Sequence, residues 1–79
     1  MATITFQISQ GGVPLEGACV TFGDVASVET DVNGEVSATV GEDFKVYVGT
    51  TVTHNSIPGG QRDLGIFLYE AGNTYTFGV

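Results

Sequence analysis

His54, Ser56 and Asp63 share one stretch of chain, and an imidazole, a hydroxyl and a carboxylate are the parts of a base, nucleophile and orienter. Such a set works only when the base lies within hydrogen-bond reach of the group it deprotonates, and closeness in sequence does not deliver that geometry. A solvated loop histidine is the plainer expectation for His54. Asp31, Asn33 and Glu35 place oxygen donors at alternate positions, like one half of a calcium loop. Calcium takes six to eight oxygens, and neither a second cluster nor a terminal bidentate glutamate follows. Asp31 is better suited to closing its own turn through backbone N–H groups. Glu42-Asp43 reads as turn chemistry. Cys19, the single cysteine, has no cationic neighbour in sequence to make it a thiolate and no partner for an internal disulfide. These residues predict a protein that is not an enzyme, with no catalytic residue, no metal and no cofactor.

The aromatic residues carry a different kind of chemistry. If Val46, Ile66 and Leu68 fill the core, alternation turns Tyr47, Phe67 and Tyr69 outward. Aromatic side chains are enriched at protein interfaces, and they also stack on sugar rings. His54 and Arg62 lie in the long loop from His54 to Asp63. Tyr47, Phe67, Tyr69, His54 and Arg62 are therefore the candidate interaction residues. The first and last strands, Thr-rich and without a Lys or Pro guard, are candidates for open edges that a neighbouring chain could pair with.

These side chains are positioned by short strands. Thr3 to Ser9 alternates, with Ile4, Phe6 and Ile8 on one face. Ala18 to Phe22 follows, then Val25 to Thr30. Asn33-Gly34 predicts a type I′ hairpin turn into Glu35 to Val40, with Val36, Ala38 and Val40 inward. A fifth strand starts at Phe44 and continues toward Val52 past a kink at Gly49. A sixth, Leu64 to Tyr69, is apolar on both sides, and the last runs from Thr74 to Gly78. No helical period of useful length appears. Seven short strands joined by Gly-, Pro- and Asn-rich turns predict an all-β, seven-stranded antiparallel sandwich formed by one domain, residues 1–79.

The totals bound the partners. The net charge of −7, with Lys45 and Arg62 the two cations, repels phosphate backbones and anionic membranes, so neither nucleic acid nor membrane is expected. Hydrophobic residues make up 42% of the chain and charged residues 14%. A domain this small has a thin core, so part of the apolar content is expected on the surface, where it marks association. No apolar run is long enough to cross a bilayer as a helix. The start, Met1-Ala2-Thr3-Ile4, lacks the basic head of a secretory signal, which favours a cytoplasmic protein or one carried in a particle.

Three segments resemble a known family: Val13-Pro14-Leu15-Glu16-Gly17-Ala18-Cys19-Val20, then Thr30-Asp31-Val32-Asn33-Gly34-Glu35, then Phe44-Lys45-Val46-Tyr47-Val48. They look like the carboxypeptidase regulatory-like and bacterial Ig-like modules, in which a Gly-x-Pro-Leu-x-Gly-Ala segment opens the second strand and a Thr-Asp-x-x-Gly turn joins the next pair. The likeness covers about residues 4 to 48, and the chain lacks the Pro-Gly-x-Tyr that such modules often place before the fifth strand. It implies an Ig-like, prealbumin-like sandwich and says little about activity, since the shared residues are turns. As a separate chain, such a module resembles subunits or decoration proteins of viral particles and filaments. The implied partner is a capsid, tail or filament protein, with a homo-oligomer as another form; a carbohydrate-binding or adhesive domain is the alternative. Transthyretin-like hydroxyisourate hydrolases share the general fold but end in Tyr-Arg-Gly-Ser, whereas this chain ends Thr76-Phe77-Gly78-Val79. Some Ig-like adhesins carry a buried Lys–Asn isopeptide bond, and the outward position of Lys45 predicts none here.

Overall fold

The computed structural model describes residues 1–26 and 29–79. Its elements are β1 (Ala2–Gln10), β2 (Val13–Pro14), β3 (Cys19–Phe22), β4 (Val25–Ala26), β5 (Glu35–Val40), β6 (Lys45–Thr53), β7 (Gln61–Glu70) and β8 (Thr74–Gly78), with no helix among the described residues. The eighth element is the two-residue β2, which pairs with the end of β1. The predicted strand from Val25 to Thr30 is described only as β4; Ser27 and Val28 lie outside the described residues.

Two sheets enclose one core. In the first, β1 is central: β5 and β2 lie along one side of it and β8 along the other. The second runs β4-β3-β6-β7. All pairs are antiparallel except β1 with β8, which is parallel and departs from the expected pattern. Nor is the first strand an edge. Its alternation of buried Ile4, Phe6 and Ile8 with polar residues is that of a strand covered on one face, and both of its hydrogen-bonding sides are taken.

The core is built where the two inner faces meet. Phe6 on β1 lies 5.1 Å from Phe22 on β3 and 5.7 Å from Tyr69 on β7. Ile4, Ile8, Val20 and Val52 complete its centre, as period-two alternation requires. Each such side chain contributes roughly 1.5–3 kcal/mol on full burial. Two threonines are buried among them. Thr30 Oγ1 accepts the Ala18 N–H at 2.9 Å and donates to the Leu15 carbonyl, satisfying backbone groups where the chain enters β3. Thr50 Oγ1 is hydrogen-bonded to the Tyr69 hydroxyl.

The Asn33-Gly34 turn forms, but not as a type I′ hairpin. The Gly34 N–H donates to the Asp31 carbonyl at 2.9 Å, and positive φ occurs at Gly34 and not at Asn33. Asp31 Oδ1 accepts the N–H groups of Asn33 and Glu35, which is the turn-closing role expected of it. The turn also does not join neighbouring strands. Thr30 is bonded to Ala18 and Gly17 beside the second sheet, whereas β5 pairs with β1 in the first. The turn carries the chain from one layer to the other. A side chain at position 34 would collide with the Ile8 carbonyl, so only glycine fits this crossing.

Candidate functional site

β6 and β7 pair in register from Lys45–Glu70 to Thr50–Gly65, and then the register shifts: Thr51 faces Asp63, and Leu64 is the extra residue. This is a β-bulge, and Gly65 supplies the φ of 101° next to it. The bulge resets which residues face inward. Leu64 is half-buried against the core, and so is Phe67, three positions on. Tyr69 is fully buried at 0% exposure, while Ile66 and Leu68 stand at 59% and 45%.

The alternation expected for this strand is therefore reversed after the bulge. Phe67 is a core-facing residue, 5.1 Å from Phe77, and Tyr69 packs edge-on against Tyr75 at 4.8 Å. Neither belongs to an outer surface. Burial raises the Tyr69 hydroxyl above its usual 10.0, with the Thr50 hydrogen bond pulling the other way and the Tyr75 phenol adding to the rise. Ile66 and Leu68, expected in the core, are the residues that surface. The signal for this was in the sequence: a glycine inside an apolar run marks a bulge, and the run was apolar on both sides.

Tyr47 lies outward as expected, 70% exposed, directly across from Leu68. Gly49 faces Ile66 in the next outward pair, so nothing on β6 shields the Ile66 side chain. Tyr47, Ile66 and Leu68 thus form one apolar patch on the outer face of the second sheet. Lys45 and Glu70, a directly opposed pair, border it at one end. Directly opposed residues of an antiparallel pair sit about 5 Å apart, close enough for the tyrosine ring to cover leucine.

His54 and Arg62 lie elsewhere. Arg62 is exposed and pairs with Val52, five residues along β6 from Tyr47, or about 17 Å of strand. His54 begins the shorter loop, residues 54–60, that joins β6 to β7. The Ser56 N–H donates to His54 Nδ1 at 3.0 Å, so Nδ1 is the bare nitrogen and Nε2 carries the proton, which it donates to the Glu16 carbonyl at 2.8 Å. Ser56 Oγ also approaches Nδ1 at 2.8 Å and donates to Gln10 Oε1 at 3.1 Å. Asp63 takes no part, its Oδ1 accepting the Gly65 N–H at 3.0 Å. Histidine and serine are thus brought together, but as a clip: both ring nitrogens hold backbone, and the lone pair a base would use is already taken by an N–H.

Beside this clip lies an open hollow of about 440 Å³ lined by Gly17, Cys19, Glu29, Thr53, His54 and Asn55. No three His, Cys, Asp or Glu side chains are grouped to hold a metal ion among the described residues. None of the protein families, curated proteins or solved structures compared with this chain matches it.

Proposed function

We propose that this chain is a non-catalytic interaction module, a subunit that joins a larger protein assembly through the outer face of β6 and β7. The observation that carries this is the patch of Tyr47, Ile66 and Leu68: three large apolar side chains, adjacent and exposed, on a domain too small to spare apolar residues. The occupied ring nitrogens of His54 support a reading without catalysis. We read the two sheets as an Ig-like, prealbumin-like sandwich in which β2 is an addition to seven main strands. The likeness of its turns to Ig-like modules supports use as a building or decorating unit, such as in a viral particle or a filament. Tyr47 favours the second reading, an adhesive carbohydrate-binding domain, because an exposed aromatic ring can stack on a sugar.

Affinity capture with the immobilised protein tests this, using lysate of cells in which it is naturally made. A Tyr47→Ser/Leu68→Ser double variant and a Thr5→Ala control on the opposite sheet run in parallel. Partners lost by the double variant and kept by the control are the expected result. Partners indifferent to both would sink the interaction reading, and glycan-array hits abolished by Tyr47→Ser would replace it with the carbohydrate one.

A further inference from the structure

Among the described residues, five strands border the two sheets: β2, β5 and β8 in the first, β4 and β7 in the second. Among the described residues β2 and β4 have two residues each, β8 five and β5 six, and the outward side chains of β5 are Glu35, Ser37 and Thr39. β7 has ten residues and is unlike the rest. The Glu70 N–H donates to the Tyr75 hydroxyl at 2.9 Å, so it points away from β6. By the two-residue period of an antiparallel ladder, the N–H and C=O groups of Ile66 and Leu68 point away from β6 too. Ile66 and Leu68, whose backbone groups lie unclaimed on the open edge, are also the residues of β7 whose large apolar side chains are exposed.

Charge says what this edge can meet. Lys45, Arg62, Asp63 and Glu70 are the charged residues of β6 and β7, two of each sign, so this part of the molecule is neutral. The whole excess of −7 lies outside these two strands. A second copy can approach here without net repulsion between the paired strands.

Resting on the interaction reading above, we propose that β7 pairs with β7 of a second copy, antiparallel about a two-fold axis at Phe67, joining the two second sheets into one. Ile66 of each copy then faces Leu68 of the other, and each such pair exchanges both of its N–H···O bonds. Their side chains merge on the outer face with both Tyr47 rings. The antiparallel sense also carries the Arg62 end of each strand toward Glu70 of the other copy. Tyr75, by holding the Glu70 N–H, ends the open stretch and helps set the register.

Sedimentation velocity of the purified protein from low micromolar to millimolar concentration tests this. A reversible monomer–dimer equilibrium is expected, with amide exchange at Ile66 and Leu68 slowing as dimer forms. Ile66→Lys guards the edge with charge, and Leu68→Pro removes an outward N–H without touching the ladder to β6. Each is expected to weaken dimerisation at least about tenfold. A chain that stays monomeric throughout, or a dimer that both variants leave intact, overturns the pairing. If that monomer still captures partners through Tyr47 and Leu68, the interaction reading survives the loss of this one; if it captures none, both fall.

Discussion

The two outer faces of this molecule solve the same problem in opposite ways. On the first sheet, polar side chains answer one another across the strands. Thr5 Oγ1 and Ser37 Oγ lie 3.0 Å apart, Gln7 Nε2 donates to Glu35 at 2.8 Å, and Thr76 Oγ1 donates to Gln7 Oε1 at 3.1 Å. That face is bonded from side chain to side chain across its strands. On the second sheet, Tyr47, Ile66 and Leu68 face solvent with no such lattice. A thin sandwich cannot swallow all of its apolar side chains, and of those left exposed among the described residues Tyr47, Ile66 and Leu68 lie together on this face, while Met1, Val13 and Val32 lie apart from it. The lesson is that burial and exposure in β7 are set by one bulge. Without it, Ile66 and Leu68 would point inward and Tyr69 outward.

The contrast breaks most visibly at Tyr69. Tyr69→Ala is expected to cost about 3–5 kcal/mol in chemical denaturation, as for large aromatics removed from a core. Tyr47→Ala should stay within about 0.5 kcal/mol. Equal costs would mean that the faces have been misassigned. Gly65→Ala comes next, at about 1–3 kcal/mol, because a φ of 101° strains any other residue while the space around it is open. A neutral result there would remove the bulge as the determinant of phase.

Alkaline titration sharpens the comparison further. The folded protein keeps the Tyr69 proton above pH 10.0, where the unfolded chain releases it. Stability from this source is whole below that pH and is lost as pH rises from it toward the raised folded value. Denaturation midpoints measured through this range should fall in the parent and fall less in Tyr69→Phe. The smallest effect is expected on the polar face. Thr5→Val gives up one exposed hydrogen bond to Ser37 for better strand propensity and should change stability by no more than about 0.5 kcal/mol.

Much of the scaffold could be read from local patterns. Ile4, Phe6 and Ile8, and later Val36, Ala38 and Val40, alternate over uninterrupted strands, and their burial follows. Asp31 and Gly34 were legible as a turn because side-chain capping and positive φ are local properties. What the turn connects was not, because the choice between pairing with a neighbour and crossing to the other layer is made by long-range contacts. β8 lies beside β1 for the same reason. At the candidate site, Tyr47 was visible because β6 alternates without interruption from Lys45 to Val48. Phe67, Tyr69, Ile66 and Leu68 were misplaced together, since a single extra residue inverts every side chain beyond it. His54 was found in its loop, but its grip on Glu16, 38 residues away, leaves no mark in the sequence around it.

The parallel pairing of β1 with β8 has a consequence for the order of events during synthesis. Thr5 to Ser9 leave the ribosome well ahead of Thr74 to Gly78, yet that later strand is the one that closes one side of them. Until translation reaches those residues, the central strand of the first sheet shows a bare flank, and Phe6 lacks the stacked ring of Phe77. Folding of this sheet is therefore a late step, and a nascent chain stalled before Thr74 would present the bare flank of β1 to whatever lies nearby.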